Sequence, residues 1–138
     1  MVAVTPTNVQ KIEFDVTTAE GPSRVTVVTG IIPTGPEAFS TGAFSSASLS
    51  LTALVDPTLT PGQFRKATAT AALATIVGAV PGPSPSTFQF SFSIDNVEAT
   101  LDDESGRVEL RVDATVGSAN ANLLLQRIAF QVTTLAKL

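Results

Sequence analysis

Histidine, cysteine, tryptophan and tyrosine are all missing from the 138 residues of this chain, and Met1 is its only methionine. Histidine is the side chain whose ordinary pKa lies nearest neutral pH, so acid–base catalysis loses its usual residue. Histidine and cysteine are also the common ligands of zinc and related metals. The sequence therefore predicts a protein that is not an enzyme, with no catalytic residues, no metal site and no cofactor.

Charge is also scarce. Charged residues make up 14% of the chain, against about 25% in a typical domain. The net charge is −4, and the basic residues are scattered, with only Arg65 and Lys66 adjacent. Binding to a nucleic-acid backbone requires clustered lysine and arginine. Nucleic acid is therefore not an expected partner.

Long apolar runs are absent as well. The longest one, from Ala67 to Val80, is interrupted by threonines and stopped by Pro81, whereas a membrane-spanning helix needs about 20 apolar residues. The first residues, Met1 to Pro6, lack the basic and continuous apolar regions of a signal peptide. We therefore expect no membrane partner, no signal peptide and synthesis in the cytoplasm. The length fits one domain over residues 1–138.

The chain does contain apolar residues that alternate with polar ones, in runs that end at glycine and proline. This period of two, without a helical period, predicts an antiparallel β-sandwich of jelly-roll or immunoglobulin-like type. In such strands the apolar set faces the core and the polar set faces solvent. The alternating apolar sets are Ile12, Phe14 and Val16, then Ala47 to Ala53, then Phe88 to Ile94, then Leu124 to Val132 with Gln126 as the one polar member.

One hairpin can be placed in register. With Asp103 to Gly106 as the loop, Leu101 lies opposite Val108, Ala99 opposite Leu110, and Val97 opposite Val112. The other face then sets Asp102 opposite Arg107, Thr100 opposite Glu109, and Glu98 opposite Arg111. A slip of one residue would place apolar and charged side chains on the wrong faces. The apolar parity changes at Asp95 and Asn96, which predicts a β-bulge there.

The segment near 61–77 has two interpretations. Residues Thr60 to Gln63 resemble a helix capping box with proline at the first helical position, and the alanines that follow favour a helix. The β-branched Thr68, Thr70 and Thr75 favour a strand. The sequence slightly favours the strand, with one short helix as the alternative.

Three stretches carry no charge: Ala38 to Val55, Ala67 to Ile94 and Ala114 to Gln126. Charged side chains normally protect the edges of β-sheets, and protein–protein interfaces are depleted in charge at their centres. This pattern predicts a structural protein that self-assembles into a homo-oligomer, a filament or a particle coat, as capsid-decorating, tail and fibre subunits do. Its expected partner is itself or a larger protein assembly, and the subunit could form part of a virion.

Two other functions stay open. One is a non-catalytic module that binds a small ligand or glycan through the loops Pro33–Phe44 and Pro81–Thr87, with Phe39 or Phe44 as the anchor. The absence of tryptophan and tyrosine, which commonly line such sites, argues against it. The other is a hydrolase that uses two carboxylates, for which Asp95 and Asp113 would have to meet in a pocket.

Overall fold

A computed structural model gives the protein's structure and describes residues 1–40, 42–80 and 87–138, with residue 39 described by its backbone only. The described residues form nine β-strands and no helix, which confirms the all-β class. The short helix near 61–77 is therefore wrong. The strands are β1 (Val2–Ala3), β2 (Thr7–Thr18), β3 (Gly21–Pro33), β4 (Glu37–Ser40), β5 (Ser45–Thr58), β6 (Phe64–Ala79), β7 (Gln89–Leu101), β8 (Arg107–Ala119) and β9 (Ala121–Lys137).

The strands form two sheets in a sandwich-like arrangement. The four-stranded sheet has the order β1-β5-β8-β7, and only its two-residue β1 pairing is parallel. In the five-stranded sheet, β9 pairs with β6 along one edge and with β3 along the other. Beyond the end of β3, the short β4 takes over the pairing with β9 at residues 121–124. The strand β9 is therefore the centre of this sheet, β2 and β6 are its long edges, and the four-residue β4 is a short edge beyond the end of β3.

The inner faces of both sheets supply one apolar core. Its fully buried side chains come from β3, β5, β8 and β9. Burying each aliphatic side chain of this size stabilises the fold by roughly 1.5–3 kcal/mol. The largest members are Ile32, Leu51, Leu110, Leu125, Ile128, Val28, Val108, Val112, Val116 and Val132.

The predicted hairpin is confirmed in its register. Val108, Leu110 and Val112 are fully buried opposite the three apolar residues of β7. Gly106 adopts a φ of +70°, the left-handed conformation that suits glycine in a tight loop. The register also shifts between Ile94 and Asn96, where the bulge was expected. Local alternation and turn chemistry were sufficient here because the two strands are adjacent in sequence.

The capping-box residues form a single turn that does not continue as a helix. The Gln63 side chain accepts a hydrogen bond from the Thr60 backbone N–H at 3.0 Å, and the Gln63 N–H bonds back to the Thr60 carbonyl. From Phe64 onward the chain pairs with β9 as far as Ala79. Pairing with a long strand at the other end of the sequence therefore outweighs the local helix signal, in line with the β-branched threonines.

The side chains of β2 face the opposite way to that predicted. Lys11 pairs with the core residue Val28, so Lys11, and with it Glu13, lies on the inner side of the sheet. Ile12 and Phe14 lie on the outer side and are 65% and 49% exposed. The four-stranded sheet does not extend far enough to cover β2, so the inner side of this edge strand is open to water. Lys11 there reaches Asp56 of β5, with 3.5 Å between Nζ and Oδ2.

Two further predictions of which alternate residues face the core are only partly correct. In β9, Ile128, Phe130 and Val132 are buried as predicted, but before them Leu123 and Leu125 are buried and Leu124 is not. The buried residues of β9 change from odd to even positions at the point where its pairing with β6 is irregular, opposite the segment of β6 from Leu73 to Ile76. In the other set, Phe92 and Ile94 pack against the core, whereas Phe88 and Phe90 are exposed at the margin of the sandwich.

Candidate functional site

The outer face of the four-stranded sheet is charged and polar. The serines and threonines of β5 that lack charged neighbours in sequence lie beside charged residues of β8: Thr52 pairs with Arg111 and Ser50 with Asp113. Glu98 of β7 pairs with Arg111 from the other side. A neutral stretch of sequence therefore does not give a neutral surface on this sheet, because neighbouring strands supply the charge.

Asp95 and Asp113 both lie on this face as hydrogen-bond acceptors. The carboxylate of Asp95 accepts from the hydroxyls of Ser93 and Thr115, each at 2.6 Å. These two bonds, that of Ser93 first, lower the pKa of Asp95. Hydrogen bonding from Ser50, followed by Arg111, lowers the pKa of Asp113. Because a general acid needs a raised pKa, this arrangement lends no support to two-carboxylate hydrolysis.

The outer face of the five-stranded sheet has the opposite character. Rows of paired residues cross β2, β3, β9 and β6, such as Ile12–Val27–Thr133–Thr68 and Gln10–Thr29–Gln131–Thr70. Paired residues share one face of a sheet. Within the described residues this surface, which we call the neutral face, has charged side chains only towards its ends. Its members are Gln10, Ile12, Phe14, Val25, Val27, Thr29, Ile31, Thr68, Thr70, Ala72, Ala129, Gln131, Thr133 and Leu135.

One end of the neutral face is apolar except for Lys66. Phe14, Val25, Leu135 and Lys66 form one row, and Ile12 and Val27 lie in the next. Ile12 and Phe14 expose more of their surface than most large apolar residues of the chain. Contiguous exposed apolar side chains rimmed by polar ones are typical of interaction surfaces.

The two edges of the five-stranded sheet differ in protection. Lys11, Glu13 and Asp15 place charges along β2, and inward-pointing charges are a common device against edge-to-edge pairing. The edge strand β7 of the other sheet has a bulge at Asp95 and a charge at Glu98. From Ala67 to Ala79, β6 has neither charge nor proline, and among the described strands it pairs with β9 alone.

A shallow groove of about 530 Å³ crosses the neutral face. Its polar lining comes from Asn8, Gln10, Thr29, Thr70 and Gln131. Asn8 adopts a φ of +51° at the irregularity between Thr7 and Gln10. The sequence did not suggest this groove, because its residues come from four strands of which only β2 and β3 are neighbours in sequence.

The described ends of the two predicted ligand loops meet at Asn120, whose backbone N–H donates to the Gly42 carbonyl at 3.2 Å and whose side-chain amide donates to the Thr87 carbonyl at 3.0 Å. The first contains β4, and Phe44 lies against Gly117, where an added Cβ would collide with its ring. The side chain of Phe39 and residues 81–86 of the second loop lie outside the described part of the structure.

Over residues 1–40, 42–80 and 87–138, no group of three or more acidic side chains is placed to hold a metal ion. The same residues contain no helix that could cross a membrane. No known protein family, curated protein or solved structure matches the chain.

Proposed function

We propose that this chain is a non-enzymatic structural subunit that associates with further copies of itself, as subunits of filaments, tails and particle coats do. The observation that carries the proposal is the neutral face, on which four strands combine to leave a wide surface without charge. Centres of protein interfaces show this depletion of charge. The charged outer face of the four-stranded sheet would then remain in water.

The exposed Ile12 and Phe14 support the same proposal. Water contact with these side chains is unfavourable, at about 25 cal/mol per Å² of apolar surface. A second subunit that covers them would recover this free energy. We also propose a jelly-roll or immunoglobulin-like connectivity for the sandwich. Support comes from the repeated passage of the chain between the sheets, at the β1–β2, β4–β5, β5–β6, β6–β7 and β8–β9 connections, since Greek-key sandwiches make such crossings.

Size-exclusion chromatography with light scattering over a concentration series tests the proposal. We expect a mass that is a multiple of the chain's own and that falls on dilution. The variant Ile12→Lys should weaken association, because it places an ammonium group in the neutral face. The matched control is Thr100→Lys, an exposed position on the charged sheet. A monomer at all concentrations would refute the proposal.

The groove favours one second candidate, a non-catalytic module for a small ligand or glycan. Its volume falls within the usual range for ligand sites, about 300–1,000 Å³, and its amide and hydroxyl side chains suit a polyhydroxylated ligand. A monomer whose melting temperature rises with added oligosaccharides, and whose Gln131→Ala variant loses that rise, would favour this function over assembly.

A further inference from the structure

We propose that β6 is the strand through which two copies of this chain join, antiparallel to each other about a twofold axis near Ala71. This inference rests on the proposed self-association and adds to the neutral-face contact a second contact along the β6 edge, with its direction and its register. The first argument is the lack of charge along the edge. The other long edge strands, β2 and β7, have charged residues along their length, whereas β6, which like β7 has irregularities in its pairing, has no charged residue after Lys66. An exposed strand edge pairs readily with another strand.

The second argument is the distribution of charge along β6. Arg65 is already engaged within its own chain, donating to the Thr18 hydroxyl at 3.1 Å and to the Glu20 carbonyl at 3.0 Å. Lys66 forms none of the ion pairs found in the described part of the chain. Parallel pairing in register would place Lys66 beside its own copy. Antiparallel pairing places it at the far end of the partner strand.

The far end of β6 is suited to receive a cation. Val77 of β6, Leu124 of β9 and Glu37 of β4 form one row across the sheet. Glu37 is exposed and, like Lys66, belongs to no ion pair among the described residues. A cavity of about 200 Å³ lies beside this row. Asn122 lines the cavity, and its Oδ1 is buried without a hydrogen-bond partner among the described residues.

The register follows from the irregularity in β6. With Ala71 at the axis, Thr70 lies opposite Ala72 of the other copy, both on the neutral face. Between Leu73 and Ile76 one extra residue interrupts the alternation of side chains in β6. Beyond it, the pairing with the second copy is displaced by one residue, so Lys66 of that copy lies opposite Val77. Three strand spacings of about 4.8 Å then separate its Cα from that of Glu37, roughly 14 Å. At this separation the lysine and glutamate side chains can lean towards each other, which brings their charges into the range of attraction without a direct ion pair. The aliphatic part of the lysine covers Val77.

Twofold symmetry makes this contact twice in each dimer. Each Lys66 would lean its ammonium group towards a Glu37 carboxylate and towards the side of the cavity where the Asn122 Oδ1 lies. The two neutral faces would become one continuous surface across the joined sheets.

Exchange of the two charges is the test, with the dissociation constant measured by sedimentation velocity on the full chain. Lys66→Glu and Glu37→Lys should each weaken the dimer by roughly tenfold or more, because each places like charges together at two contacts. The double variant Lys66→Glu/Glu37→Lys should restore most of the affinity at unchanged net charge. Glu109→Lys on the charged sheet is the matched control, and far-UV circular dichroism checks folding.

A second variant probes the axis itself. Thr70→Lys combined with Ala72→Lys adds four lysines per dimer at exposed positions, so the fold should persist and the dimer should be lost. Because Thr70 and Ala72 also belong to the neutral face, Ile12→Lys is the control: it lies on that face at the β2 edge and should leave the β6 dimer intact. If the wild type associates but neither the charge exchange nor the central lysines change its affinity, the β6 contact is wrong and the proposed function stands. If the wild type does not associate, both proposals fail.

Discussion

Alanine substitutions at Val28 and Ile12 would test the unexpected orientation of β2. Val28 is 0% exposed and Ile12 is 65% exposed. Val28→Ala removes two buried carbon atoms at about 0.8 kcal/mol each and leaves a cavity, so we expect a loss of about 2–3 kcal/mol in the free energy of unfolding. Ile12→Ala removes three carbons from a side chain that is mostly in water, so we expect a loss below about 1 kcal/mol.

Urea unfolding followed by far-UV circular dichroism is the suitable assay, because the chain has no tryptophan or tyrosine for fluorescence. With a denaturant dependence of about 1–3 kcal/mol per molar urea, Val28→Ala should lower the midpoint by roughly 1 M or more, and Ile12→Ala by less than half of that. Dilute protein keeps association from adding to the apparent stability. Equal losses in the two variants would mean that Ile12 is buried and that the orientation of β2 described above is wrong.

Two more substitutions test the hairpin and the charged face. Gly106→Ala should lower the free energy of unfolding by about 1–3 kcal/mol, because φ is +70° and the new Cβ would lie 2.9 Å from the Leu59 carbonyl oxygen. Thermal unfolding measures this loss. The control is Gly62→Ala, where an added Cβ meets no atom within 4 Å. A Gly106→Ala melting temperature equal to that of the wild type would contradict it. The hydroxyls of Ser93 and Thr115 hold the pKa of Asp95 below its ordinary value, so its stabilising effect is present above about pH 4 and is lost as the pH falls through the lowered pKa. Asp95→Asn should therefore flatten the loss of stability in acid, and an unchanged acid dependence of the urea midpoint would exclude this role for Asp95.

The sequence predicts the β7–β8 hairpin well because everything that determines it is local. Alternation, the loop glycine and the parity change at Asp95 and Asn96 lie within one continuous segment. For β5 as well, the alternation of apolar residues matches the buried set, with Leu51 and Ala53 in the core. In these strands the second sheet covers the apolar side, so the alternation of apolar and polar residues directly indicates which side chains face the core.

Alternation fails at β2 because facing depends on coverage by the other sheet. The apolar residues of β2 point away from a core that does not reach that strand, and its charged residues occupy the inner side. Sequence polarity cannot distinguish an apolar side that faces a core from one that faces outwards. The neutral face was predictable only as a lack of charge, since its rows join strands from both ends of the chain.

Hydrogen exchange, compared between dilute and concentrated solutions, tests self-association through β6 most directly. We predict that amides of β6 between Ala67 and Ala79 gain protection on concentration, while those of the edge strand β7, which lies in neither proposed contact, exchange at unchanged rates. Exchange in β6 that is independent of concentration, in a sample that light scattering shows to be associated, would contradict this contact. Monomeric protein with unchanged exchange throughout would contradict self-association as a whole.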